Sequence, residues 1–295
     1  MNINSKPNLL NSFLLIYFFE LEKQLNNSDN QLLEVKFQSE EANTDEFLKK
    51  YFKDFISKNN NIRNSNLKQL HVKIDEKNYF VNVQNLFSYK IINVLLPEEL
   101  SEEQRQSIST AKKSVYTSPD LYLEITDGSN SYFESVELKS TKNNNISGSS
   151  VQQIAPFEWV VFVKRGENKV VVTTGYYLNS ITDKLPFPDR SPRPQIGFRT
   201  LAHWNSEHRK VEKQVLIVEN FSEINEGKLR LLNDWQEFLA QEWMQVIEAE
   251  NIKTNEKWFN NTLRIFALKF LKYTEKLSQE EKRAFKEKLG KMIKE

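Results

Sequence analysis

The sequence predicts an α/β (α+β) protein, with a central mixed β-sheet flanked by helices and helical N- and C-terminal parts. Three observations predict it. Residues 70–84 and 121–139 alternate apolar and polar side chains, the period of strands with one buried face. Residues 157–165, FEWVVFVKR, are almost continuously apolar, as a strand covered on both faces must be. Both ends of the chain instead repeat apolar residues at three- and four-residue steps, the period of helices. A chain of 295 residues can bury a large core, and it is read here as a single domain over 1–295.

In order, residues 8–25 form an amphipathic helix. Their uninterrupted apolar part, FLLIYFF, is far short of the roughly 20 residues that span a bilayer, so no membrane segment is expected. Residues 44–58 form a second helix, with Phe47, Tyr51, Phe52 and Phe55 at helical steps and Thr44 at its start. LHVKIDEKNYFVNVQ reads as a hairpin turning at DEKN. A third helix opens at Pro97 with acidic residues behind it. Residues 118–141 form a second hairpin around Asp127-Gly128, a dipeptide suited to positive φ. Strands at 157–165 and 169–178 follow, separated from the hairpin by the polar loop 142–153. Residues 184–210 hold four of the eight prolines and read as a long functional loop. Helices over 228–250, 256–277 and 278–295 close the chain, within a helical subdomain over 226–295. Their apolar stripes, such as Phe259, Leu263, Phe266 and Phe270, suit a core or a dimer surface.

Composition narrows the chemistry. Hydrophobic residues at 39 % and charged residues at 27 % describe a folded chain rather than a disordered one. A net charge of +1 leaves nucleic acid open as a partner, because basic residues can gather on one surface. The absence of cysteine excludes disulfides, thiolate metal sites and a Cys nucleophile, and fits a cytoplasmic location. The three histidines (His71, His203, His208) are not spaced as a zinc pair, so oxygen atoms must hold any metal, which points to Mg²⁺, Mn²⁺ or Ca²⁺.

Residues 118–141, SPDLYLEITDGSNSYFESVELKST, concentrate charge where a hairpin usually shows Thr and Ser. The polar positions include Glu134, Glu137 and Lys139, with Asp120 heading the preceding strand. If the turn centres near Gly128-Ser129, Asp120 falls across from Glu137, at the roughly 4.5–5.5 Å of directly opposed Cβ atoms. Two carboxylates that close repel unless a proton or cation lies between them, and a divalent cation finds hard oxygen ligands there. Lys139 points to the same side, where an ammonium can polarise a water and offset developing charge. The plain alternative is a solvated strand face with an incidental Glu137–Lys139 pair, of the kind worth about 0–1 kcal/mol.

Pro119-Asp120 followed by Glu137-Leu138-Lys139 resembles the PD-(D/E)xK nuclease superfamily, and within it the type II restriction endonucleases. The resemblance spans about 118–165. It implies a restriction-endonuclease-like sheet, a catalytic core over about 97–180 and Mg²⁺-dependent hydrolysis of double-stranded DNA at a short site, leaving 5′-phosphates. Asp120, Glu137 and the backbone carbonyl of Leu138 would hold the metal, and Lys139 would assist the water. It further implies a homodimer, because a palindrome calls for two symmetric sites, and functional pairing with a DNA methyltransferase of the same specificity. A monomeric repair or mismatch nicking endonuclease of the same superfamily, or a non-catalytic DNA-binding protein, are the alternatives.

DNA contacts are expected in two segments. In 142–153, Lys142, Ser149 and Ser150 suit phosphates, and Gln152 and Gln153 can pair with adenine; an ordinary polar loop is the alternative. In 184–210, six Lys or Arg against two acids give a net +4 among Phe187, Phe198, His203 and Trp204. Arg190, Arg193 and Arg199 are the base-reading candidates there, and a solvated surface connection is the alternative. Glu98, Glu99, Glu102 and Glu103 are further acids upstream, which a helix N-terminus already explains.

Overall fold

Two hairpins and an apolar run organise the chain into mixed sheets. The computed structural model describes residues 7–27, 32, 46–111, 119–146, 155–166, 169–182, 195–248 and 257–294. The first elements are α1 (Leu9–Asn27), α2 (Glu46–Lys58), β1 (Gln69–Ile74), β2 (Lys77–Asn82), β3 (Lys90–Leu95) and α3 (Glu102–Ala111). Next come β4 (Leu121–Thr126), β5 (Ser131–Thr141), β6 (Asn145–Ile146), β7 (Trp159–Arg165), β8 (Val170–Tyr176) and the single turn α4 (Tyr177–Ser180). Then follow β9 (Ile196–Gly197), α5 (Phe198–His208), β10 (Arg209–Glu212), β11 (Val215–Asn220) and α6 (Ser222–Asn233). The chain ends in α7 (Trp235–Glu248), α8 (Lys257–Glu275) and α9 (Gln279–Lys294). They divide into two compact units, Met1–Asn233 and Asp234–Glu295.

The first unit is mixed α/β, with two mixed sheets flanked by helices. A five-stranded sheet runs in the order β3-β4-β5-β7-β8, antiparallel except at the parallel β5–β7 pair. A four-stranded sheet runs β10-β11-β1-β2, antiparallel except at β1–β11. A third, two-stranded ribbon joins β6 to β9. The sequence predicts one central sheet; two are present, and three of their strands, β3, β10 and β11, escape the sequence signals. β3 carries a bulge between Ile91 and Asn93, which breaks its period of two. β10 and β11 meet at Lys213 and Gln214, whose φ of 48° and 67° form a left-handed turn without the Gly or Asn that usually announces one.

The five-stranded sheet is enclosed on both faces. On one, Phe18 of α1 stacks on Trp159 of β7 at 4.2 Å. On the other, α5 packs against β7 and β8, with Phe198 edge-on to Phe162. A Cβ at Gly175 would come within 2.9 Å of Leu201 Cδ1, so a larger residue there would make the Leu201 side chain shift. β8 is an edge strand, and side chains satisfy its free backbone groups. Asn26 bonds both the N–H and the C=O of Val172, Glu22 accepts from Thr174 N–H, and Asn205 and Arg209 donate to Thr174 C=O. An edge so covered cannot pair with another chain.

Residues 196–210 thus differ from the long loop expected there. Phe198, Leu201 and Asn205 are buried on one side of α5, a helical spacing overshadowed in the sequence by the prolines before it. The helix expected at Pro97 opens as a short 3₁₀ turn over Pro97–Glu99 and becomes α-helical at Glu102. The helix expected over 228–250 is two helices, α6 and α7, separated at Asp234.

In the second unit α7, α8 and α9 are successive helices. Arg264 of α8 donates to the Val246 carbonyl of α7 at 3.3 Å, and Phe285 of α9 packs against Phe270 and Tyr273 of α8. Among the described residues no helix is long and apolar enough to cross a membrane.

Candidate active site

The β4–β5 hairpin builds the site. Its turn is held by Asp127, whose carboxylate accepts from the N–H groups of Ser129 and Asn130, while Gly128 takes φ 98°. These bonds, with one from the Tyr132 hydroxyl, hold the Asp127 carboxyl well below the usual carboxylate range. A turn fixed here sets the register at Leu121 opposite Val136. Continued by one residue, the register brings Asp120 beside Glu137.

Leu121, Val136 and Leu138 enter the core, so the alternating positions Glu137 and Lys139 project from the opposite face of the sheet. Asp120 Oδ2 accepts the Leu138 N–H at 2.8 Å, and its Oδ1 lies 3.0 Å from Lys49 Nζ on α2. Lys139 Nζ donates to Glu137 Oε1. Asp120, Glu137 and Lys139 are only 4, 6 and 9 % exposed. Glu134, counted with them in the sequence, is opposite Leu123 and projects from the other face, because it differs in parity from Glu137.

Glu158 joins the cluster from the head of β7. Val160 pairs with Glu137, so Glu158, two residues earlier, lies on the same face of the sheet, and it is 4 % exposed. Burial pushes the Glu137 carboxyl up to about 7; Lys139 opposes the rise, and the charges of Asp120 and Glu158 add to it. Tyr122 of β4 shares this face, and burial first, then the Glu158 charge, pushes its phenol up against the influence of Arg105.

Among the described residues no three His, Asp or Glu side chains form a group that could hold a metal ion. The oxygen donors nevertheless suit a hard divalent cation. Mg²⁺ is commonly bound through one or two carboxylates and keeps several waters, so it needs no protein cage. Asp120 and Glu137 are such a pair. In a strand the N–H and C=O of one residue face the same neighbour, so the Leu138 carbonyl points toward Asp120 as its N–H does.

The two segments expected to touch DNA meet at β6 and β9, where Asn145 pairs with Gly197 and the Arg199 N–H faces the Asn144 carbonyl at 3.5 Å. Lys142 is exposed just past β5, and Arg199 is exposed on α5 rather than in a loop. Phe198, expected among the aromatics of a reading loop, is buried against Phe162. Lys164, not singled out in the sequence, donates to Asn144 Oδ1 and lies 5.9 Å from the Phe198 ring centre. Ser149, Ser150, Gln152, Gln153, Arg190 and Arg193 lie outside the described residues.

Glu99 is committed elsewhere: it accepts the Leu96 N–H at 2.7 Å and pairs with Lys53, while Glu98, Glu102 and Glu103 are solvent-exposed. The further carboxylate near Glu137 is instead Glu158, whose signal was a lone charge inside FEWVVFV. Lys49 had no such signal, being one of several lysines on an amphipathic helix. Comparison with protein-family models, with curated proteins and with solved structures finds no match to this chain.

Proposed function

We propose that this protein is a Mg²⁺-dependent, site-specific deoxyribonuclease with a restriction-endonuclease-like fold, hydrolysing phosphodiester bonds of double-stranded DNA to leave 5′-phosphates. The observation that carries this reading is the buried juxtaposition of Asp120, Glu137 and Lys139 on one face of the five-stranded sheet, at the register their spacing demands. Such a cluster is expensive in a core: burial penalises the charged Glu137 carboxylate, and apolar residues would pack there at lower cost.

Asp120, Glu137 and the Leu138 carbonyl are the groups that would hold Mg²⁺. When bound, the ion supplies Lewis-acid polarisation of a phosphoryl oxygen and lowers the pKa of a water. Lys139 orients the attacking water and offsets charge gathering on the phosphate oxygens. Water oxygen bonds to phosphorus and gives up a proton to solvent, the P–O3′ bond breaks, and the 3′ oxygen leaves with a proton from solvent. Lys49, beside Asp120, adds positive charge on the same side. Lys142, Lys164 and Arg199 supply cations near β6 and β9 for the DNA backbone and bases. A homodimer and a partner methyltransferase of the same specificity belong to this reading.

One observation favours a second reading, a non-catalytic DNA-binding protein. Asp120 and Glu137 each already have an ammonium partner, Lys49 and Lys139, so neither carboxylate needs a cation to offset its charge. Incubating the protein with DNA of known sequence, with and without Mg²⁺, and sequencing the ends separates the two. Site-specific 5′-phosphate ends that need the metal support the nuclease; DNA left whole in both Mg²⁺ and Mn²⁺ overturns it.

A further inference from the structure

Lys49 stands where a cation would bind. Asp120 Oδ2 accepts the Leu138 N–H at 2.8 Å, and Oδ1 lies 3.0 Å from Lys49 Nζ. Oδ1 is thus the Asp120 oxygen open to a metal ion, and an ammonium already covers it. Glu137 Oε1 is taken in the same way by Lys139. An ammonium and a divalent ion repel strongly at contact distance, so they cannot share one carboxylate oxygen. One of them has to give way.

The two lysines differ in their freedom to leave. Lys139 lies on β5 beside Glu137, and its side chain is only 11 % exposed. Lys49 reaches in from α2 with its side chain 25 % exposed, on a flexible four-carbon stem. The helix itself does not depend on this contact. Leu48, Phe52 and Ile56 bury its apolar side, and Lys53 pairs with Glu99. Rotation about side-chain bonds alone therefore carries the Lys49 ammonium away from Asp120 while α2 stays in place.

We infer, on the nuclease reading of this cluster, that Lys49 is a resident counter-ion that closes the metal site of the free protein and yields it when DNA binds. Without DNA the ammonium satisfies Asp120, and the site takes a divalent cation only weakly. A DNA phosphate beside Lys49 offers the ammonium a second anion, and its departure leaves Asp120 Oδ1 to the metal. Metal and DNA then bind cooperatively. The coupling is reciprocal: the factor by which DNA raises metal affinity is the factor by which metal raises DNA affinity.

Two binding measurements on the full-length chain test this, with Ca²⁺ as the metal and a short random-sequence duplex as the DNA. Calorimetry without DNA should show Ca²⁺ binding at least about tenfold tighter to Lys49→Met than to wild type, with Lys49→Arg like wild type. Lys49→Gln, which removes the charge but keeps a hydrogen-bond donor, replaces Lys49→Met if that variant does not fold. Anisotropy of the labelled duplex in Ca²⁺ and in chelator gives the coupling. Ca²⁺ should strengthen DNA binding at least about tenfold for wild type and about threefold or less for Lys49→Met. A lysine acting only as positive charge beside DNA gives the opposite order, because its loss makes a neutralising cation matter more. Ca²⁺ dependence in Lys49→Met equal to or above that of wild type overturns the exchange, and so does Ca²⁺ binding to the free variant no tighter than to wild type. Adding Asp120→Asn to Lys49→Met tests the nuclease reading separately. Ca²⁺ bound as tightly by the double variant as by Lys49→Met would mean that the metal does not use Asp120, and would overturn that reading too.

Discussion

The Leu138 N–H donates to Asp120 Oδ2 at 2.8 Å, joining residues eighteen positions apart. β4 ends just before this point, so the Leu138 N–H would lack a strand partner, and Asp120 takes its place. One bond thereby completes the ladder and fixes the carboxylate beside Glu137. Its second oxygen remains for Lys49 or another cation.

Asp120→Asn keeps the shape and removes the charge. Plasmid cleavage in Mg²⁺ should fall by at least about 10²–10³-fold, as when one electrostatic partner of a transition state is lost. Lys139→Ala should lose cleavage to a similar degree while keeping Ca²⁺-supported binding to specific DNA. Undiminished cutting by Asp120→Asn would remove this residue from the site.

Glu137 gives stability a pH signature. Its folded-state pKa is about 7 against an ordinary 4.5, so the folded protein binds this proton more tightly than the unfolded chain. The stabilisation is full below pH 4.5 and is lost as pH rises through 7, with a ceiling on the order of 3 kcal/mol. Glu137→Gln should lack this slope and be more stable than wild type at pH 8 without divalent ions, yet inactive. Urea unfolding of both proteins at pH 5 and pH 8 measures it; equal wild-type minus variant differences at the two pH values would contradict the assignment.

Lys49→Met leaves Asp120 with the Leu138 N–H but no ammonium. In chelator the variant should lose about 1.5–3 kcal/mol of stability, the usual worth of a hydrogen bond to a charged group. Mg²⁺ should restore more stability to the variant than to wild type, because no lysine then competes for the carboxylate. Thermal unfolding with and without Mg²⁺ decides this, and the absence of any Mg²⁺ effect on either protein would count against a cation at Asp120.

Lys142→Ala and Arg199→Ala should separate backbone contact from reading. The first should weaken all duplexes alike and make the salt dependence shallower by about one unit of slope. The second should narrow the gap between cognate and one-mismatch duplexes by about 1–3 kcal/mol. Binding in Ca²⁺ across a salt series distinguishes them, and unchanged affinity, slope and discrimination in both would return β6 and α5 to plain surface.

Local chemistry was sufficient for the hairpin. Asp127 and Gly128 set a four-residue turn, alternation set the faces, and register then placed Asp120 beside Glu137 without help from the rest of the chain. The buried run at Trp159–Val163 was legible for the same reason, since a strand covered on both sides has to be apolar throughout. Tertiary structure decided what local patterns do not encode. β3 hides behind a bulge, and β10 and β11 behind a turn made of Lys213 and Gln214. Lys49 reaches Asp120 only because α2 packs beside β3, and Glu158 reaches Glu137's face only through the parallel pairing of β5 with β7. Those contacts join residues far apart in sequence, where periodicity says nothing and only the closed sheet fixes the distance.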